Sequence, residues 1–224
     1  MKINQDKSKT MLFNFTTKYQ FNTRLKINNE ILETVKETRL LGTVITNDLK
    51  WDSNTNDIVK RAYKRMEILR KLKKFQAPHN DLKHIYIVYV RSLLEQSSNV
   101  WHSSLTIQNE TDLERVQKVA LKIILGSDYK TYINAMSVLD LETLKERREQ
   151  LCLEFAKKCL KNPKMKHLFP LNNRTHIMIP RQYEQFQVNK ANTNRMKDSP
   201  IPYMQNLLNI DIQRRIEQDK LWNS

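Results

Sequence analysis

Residues Ser53–Phe75 read SNTNDIVKRAYKRMEILRKLKKF, and their apolar stripe is Ile58, Ala62, Met66, Leu69 and Leu72. Such three- and four-residue steps return to one face of a helix with about 3.6 residues per turn, whereas a strand needs steps of two. Ser53, Asn54 or Asn56 supplies a cap at the start, and Pro78 follows the end. Lys60, Lys64, Lys71 and Lys74 gather on the opposite face with Glu67. The chain after this helix shares its period, and the chain before it does not.

Downstream, Asp81–His102 is apolar on nearly every side, through Leu82, Ile85, Tyr86, Ile87, Tyr89, Val90, Leu93 and Leu94, the pattern of an enclosed central helix. A third helix spans Thr111–Leu125 with the stripe Leu113, Val116, Ala120 and Ile123, and Gly126 stands where a left-handed cap belongs. A short helix fits Tyr132–Leu139. The last long one, Leu141–Lys161, puts Leu144, Leu151, Phe155 and Cys159 on one face and ends before Pro163. Arg148 falls on that same apolar face, an unusual place for a residue so rarely buried unpaired. Leu171–Pro202 reads as extended, loosely ordered or partner-dependent, and Met204–Ile210 as one or two helical turns.

Upstream, the period is that of strands: Met11–Phe15, Arg24–Ile27, a turn at Asn28-Asn29, Ile31–Val35, and Arg39–Thr46 with Gly42 inside it as a bend. The expected fold is therefore mainly α (α+β), with a small N-terminal antiparallel β-hairpin or sheet, about four helices and an irregular tail.

Composition excludes several machines. The 224 residues contain two glycines, Gly42 and Gly126, where average usage of roughly 7% supplies about fifteen. Dinucleotide fingerprints, P-loops and Gly-x-Ser-x-Gly turns each need closely spaced glycines. No Asp-Asp pair occurs, and Asp48, Asp52 and Asp57 read as turn or cap residues. His79 and His84 lack a second ligand at helical spacing. Cys152 and Cys159 lie about 10.5 Å apart along one helix axis, too far to bridge, and carry no zinc-type spacing. With 39 Lys and Arg against 24 Asp and Glu, the net charge of +15 favours polyanionic partners, nucleic acid first. The longest apolar run is Ile85–Val90 and Met1–Thr10 is polar, which predicts an intracellular chain, nuclear or cytoplasmic, neither secreted nor membrane-bound. The lysine face fits either a phosphate backbone or plain solvation, and Tyr63, Tyr86, Tyr89 and Trp101 either stack on bases or fill the core.

The linear order adds a family resemblance. Asn4-Gln5-Asp6-Lys7-Ser8 with Met11-Leu12-Phe13 resembles the Asn-x-x-Lys-Ser/Thr segment closing the palm of non-LTR retrotransposon reverse transcriptases. Leu40-Leu41-Gly42-Thr43-Val44-Ile45, then Leu49-Lys50-Trp51, is similar to the block containing their primer-grip hairpin. Tyr89–Glu95 with Val100-Trp101 resembles the thumb helix, and Leu113–Lys118 and Glu146–Arg148 resemble the helices after it. Val188–Thr193 and Ser199–Leu208 look like the tail of jockey-type elements.

This resemblance implies the C-terminal part of an RNA-directed DNA polymerase: an end-of-palm β-remnant over 1–50, thumb-like helices over 51–107, post-thumb helices over 108–170 and a tail over 171–224. Lys7 matches a palm lysine that acts as general acid toward the leaving pyrophosphate. Leu41 and Gly42 match the primer grip, and Lys60, Lys64, Lys71 and Lys74 would follow the backbone of RNA, an RNA–DNA hybrid or a DNA duplex. Arg148 becomes a structural arginine paired with a carboxylate. The catalytic aspartates would precede Met1, so the chain alone is expected to be inactive and without a cofactor, with Mg²⁺ bound only in a full-length enzyme. The missing palm and fingers are a further expected partner. The alternative is a repurposed or relic helical protein-interaction module with no nucleic-acid role.

Overall fold

The computed structural model describes residues 4, 8–15, 18, 24–27, 29–172 and 185–222. The protein is mainly α with small β sheets. Among the described residues six short strands come first: β1 (Lys9–Thr10), β2 (Lys26–Ile27), β3 (Glu30–Ile31), β4 (Glu33–Thr34), β5 (Glu37–Leu40) and β6 (Thr43–Thr46). They form three separate pairs, β1 with β4 in parallel, and β2 with β3 and β5 with β6 antiparallel. Met11–Phe15 is not a strand; its apolar side chains Leu12, Phe13 and Phe15 are exposed and have no sheet to cover. Arg39–Thr46 is not one strand with a bend. Leu40 pairs with Thr43, so Leu41 (φ +50°) and Gly42 (φ +86°) form a two-residue turn. Two successive positive φ values are what the right-handed twist of a tight hairpin requires.

The helices are α1 (Asp52–Lys74), α2 (His79–Ile85), α3 (Ser92–Glu95), α4 (Ser98–Trp101), α5 (Ile107–Leu125), α6 (Tyr132–Leu139), α7 (Leu144–Lys161), α8 (Asn194–Lys197) and α9 (Pro200–Trp222). In α1 the expected stripe is buried at Ile58, Ala62, Met66 and Leu69, with Leu72 at its edge. Its cap differs from expectation. Trp51 stands at the N-cap without a side-chain bond, while Asn54 turns inward and accepts the Val44 N–H at 3.0 Å. The start of the helix is thereby tied to β6.

The helix expected over Asp81–His102 is interrupted. A π-helical turn, Tyr86–Arg91, joins α2 to α3, and Ser97 (φ +54°) breaks the chain before α4. Trp101 Nε1 donates to Gln96 O at 3.0 Å and so stabilises the break. Nor is this helix enclosed all round: Tyr86, Val90, Leu93 and Leu94 are buried, but Val88 and Tyr89 face solvent. α5 starts earlier than expected because Thr106 caps it, accepting the Asn109 N–H. Gly126 follows with positive φ but ψ −118°, outside the left-handed helical region, and leads into a 3₁₀ turn.

A buried chain of polar side chains links the π-helical turn, α5 and α6. Tyr86 Oη donates to Gln117 Oε1 at 2.6 Å; Gln117 Nε2 donates to Tyr132 Oη at 2.9 Å and to Glu142 O at 2.8 Å. Tyr132 donates to the Glu114 carboxylate, which also accepts the Leu144 N–H at 3.1 Å at the head of α7. Thr143 and Glu146 complete a capping box there.

A second apolar cluster joins α7 to the tail through Cys152, Ala156, Cys159, Phe169, Phe186, Met204 and Leu208; both cysteines are free thiols. The tail is far more helical than expected, since α9 runs 23 residues instead of one or two turns. Two amides on the expected turns tie this helix to the rest of the tail. Asn209 exchanges hydrogen bonds with both backbone groups of Phe186 (2.9 and 3.0 Å), and Gln205 accepts from Asn189 N–H and donates to Leu168 O. Both amides are buried because they pair with backbone groups of the extended segment over 185–193 and, for Gln205, with Leu168 O.

Candidate nucleic-acid interface

The hairpin β5–β6 is fixed to α1 at several points. Asp57 receives the Arg39 guanidinium in a two-pronged contact (2.6 and 3.0 Å) and Arg61 Nε at 2.8 Å. The Arg39 hydrogen bond, followed by the charge of Arg61, holds the Asp57 carboxyl below its usual range against the opposing effect of burial. Asp57 is thus an ion-pair hub rather than a cap. Asp48 keeps its turn role, accepting from Thr46 Oγ1 and Lys50 N–H, and Asp52 accepts from Asn109.

At the tip, Gln96 Nε2 donates to Leu41 O (3.2 Å) and Arg61 Nη2 to Gly42 O (3.3 Å). Both turn carbonyls therefore point into the protein, while the Leu41 side chain is 88% exposed. A Cβ on Gly42 would stand 2.5 Å from Gln96 Nε2 and displace that amide from Leu41 O, and φ +86° favours glycine in any case. One helical turn along, Arg65 donates to Tyr89 O at 2.6 Å and lies 4.8 Å from the centre of the Tyr89 ring.

Lys60, Lys64, Lys71 and Lys74 are all exposed, and none has a carboxylate within ion-pair distance among the described residues. Glu67, which shares their face, pairs with Arg70. Lys73 points the other way and donates to Ile124 O at 2.8 Å. The four expected lysines and the Leu41-Gly42 tip thus lie on one helix and on the hairpin bound to it. Sequence reasoning missed Arg39, Arg61 and Arg65. The spacing of Asp57, Arg61 and Arg65 at four-residue steps was the available signal for two of them. Of the aromatics, Tyr86 and Trp101 belong to the core, Tyr63 is partly buried and Tyr89 is exposed. Lys7 lies outside the described residues.

Arg148 departs from expectation. It is completely buried, yet among the described residues no carboxylate lies within ion-pair distance of it. Its Nε donates to His102 Nδ1 at 3.3 Å and its guanidinium stands 5.7 Å from the Trp101 ring centre. Burial, reinforced by the charges of Arg148 and Lys145, lowers the His102 pKa to about 3. His102 is therefore a neutral acceptor in the folded protein, while the unfolded chain protonates near 6.5. Between those values the unfolded state binds more protons, so stability falls as pH drops from about 6.5 toward 3, by up to about 1.4 kcal/mol per pH unit. Urea midpoints recorded from pH 7 to 4 are expected to show this decline, and His102→Gln to flatten it; an equal slope in both proteins would refute the assignment.

Among the described residues, no three His, Cys, Asp or Glu side chains are grouped to hold a metal ion, and no helix is long and apolar enough to cross a membrane. No family model, no curated protein and no solved structure matches the chain.

Proposed function

We propose that this chain grips a nucleic-acid duplex by its phosphate backbone, as the thumb and C-terminal region of an RNA-directed DNA polymerase of the non-LTR retrotransposon type. The observation that carries the reading is the face of α1, where Lys60, Lys64, Lys71 and Lys74 stand exposed without carboxylate partners beside a hairpin tip bound to the same helix. Fixed ammonium groups on a rigid rod displace the counterions condensed on a duplex, which gives affinity without reading sequence. The chain's ordered resemblance to the primer grip and thumb supports the polymerase assignment.

The test is fluorescence anisotropy with a labelled RNA–DNA duplex at several salt concentrations. Four phosphate contacts predict a slope of log K on log salt near −3.6, and about a hundredfold loss of affinity between 50 and 200 mM. Affinity that does not change over that range would sink the reading. A second reading, docking of a protein such as the palm expected by resemblance, is favoured by the exposed apolar side chains of Leu40, Leu41 and Val88. Apolar anchors of that kind would give binding that salt barely affects.

A further inference from the structure

The lysine row of α1 ends in an aromatic ring. Phe75 follows Lys74 directly and is 84% exposed. At 100° per residue it stands about 40° around the helix from Lys71 and about 60° from Lys60, but about 120° from the buried Leu69. The ring therefore belongs to the lysine side of the helix.

The end of the helix fixes its main chain. Phe75 N–H donates to Lys71 O (3.3 Å) and Leu72 O (3.1 Å). Gln76, at φ +57°, donates its N–H to Lys73 O (3.0 Å), and Ala77 N–H reaches back to Leu72 O (3.2 Å). This is the paired ending of a Schellman motif, with glutamine in the left-handed position where glycine is usual. Leu72 and Ala77 pack against the core on either side. The Phe75 ring does not, and among the described residues no cation or second ring meets its faces. The carbonyls of Lys71, Leu72 and Lys73 are occupied, and Lys71 and Lys74 offset the negative end of the helix dipole, so a phosphate is not repelled here.

We propose, resting on the duplex reading above, that Phe75 stacks on an unpaired base, so that this face takes a duplex carrying a single-stranded extension. A single exposed apolar side chain is commonplace by itself. This one stands on a rigid cap at the end of a cation row about 21 Å long from Lys60 to Lys74, the length of about six base pairs. Along the row, paired bases are covered above and below by their neighbours, and the lysines meet phosphates alone. Just beyond the row, a base offers an open face once pairing has stopped. A phenyl ring has no donor or acceptor, so it stacks on any base without reading sequence.

The test compares a labelled RNA–DNA duplex with blunt ends to the same duplex extended at its 5′ or 3′ end by a short single strand, by fluorescence anisotropy with the full chain. A third set carries the same extensions with abasic sites, which add phosphates but no bases. One extension is expected to raise affinity at least about fivefold over the blunt duplex, the lower end of what one stacked base contributes, and its abasic version to give no gain. Phe75→Ala brings the ratio of extended to blunt affinity to about one, and Phe75→Trp preserves it. An equal gain with abasic extensions assigns the effect to phosphates and overturns the proposal. So does a ratio that Phe75→Ala leaves intact. Salt-dependent binding of the blunt duplex with no gain from either extension overturns this inference alone. Failure to bind any of the duplexes overturns the duplex reading and this inference with it.

Discussion

Replacing Lys64 and Lys71 together by glutamate lowers duplex affinity by about a hundredfold near 100 mM salt and reduces the steepness of the salt dependence by about two. Each lysine that neutralises a phosphate contributes close to one unit of slope, which near 0.1 M corresponds to about tenfold in affinity. Both side chains are exposed and neither is ion-paired, so the change removes no native contact. The unfolding free energy from urea denaturation therefore stays within about 1 kcal/mol of the parent, the cost coming from the new like charges on either side of Glu67. Binding that keeps its full slope in this variant would place the contact on some other face, however basic the chain.

Gln117→Ala carries the largest expected cost in stability. Gln117 is fully buried, accepts from Tyr86 and donates to Tyr132 and to Glu142 O. Truncation leaves the Tyr86 hydroxyl, in a completely buried side chain, without its acceptor, and opens a void between the π-helical turn, α5 and α6. Orphaning a buried polar group costs about 1–3 kcal/mol, and two or three are orphaned here, so a loss of about 3–5 kcal/mol is expected from urea denaturation. Tyr86→Phe, which strips one partner but keeps the packing, is expected to lose about 1–2 kcal/mol. Equal losses for the two variants would mean that packing at Tyr86, not the amide, holds these helices together.

Periodicity made much of this fold legible. The stripe of α1 and the limits of α6 follow from spacing alone, because apolar burial on one face is what those helices are stabilised by. The four-lysine face was legible for the same reason. What escaped depends on contacts between residues far apart in the chain. Residue patterns gave no turn at Leu41-Gly42, since a leucine at positive φ carries none of the Asn-Gly signature, and only the resemblance implied a hairpin. The break at Ser97 has no Gly or Pro to announce it; it is held by Trp101 reaching back to Gln96. Of α9 only Met204–Ile210 was legible; the contacts that hold it, from Gln205 and Asn209 to the backbone of Asn189 and Phe186, cross the tail. Arg148 stood out in the sequence, but its partner proved to be a neutral imidazole instead of a carboxylate.

Asn29, Leu41, Leu49, Gln76, Ser97 and Asp140 adopt positive φ in addition to both glycines. L-residues in that region each sit about 1–2 kcal/mol above their preferred conformations. Tertiary contacts therefore overrule local preference at every sharp corner, including the break before α4 and the end of α6. The fold thus holds a reserve for engineering: glycine at Gln76 or Ser97, both outside regular helix, would relieve strain without altering the lysine face, at the expense of some added freedom in the unfolded chain.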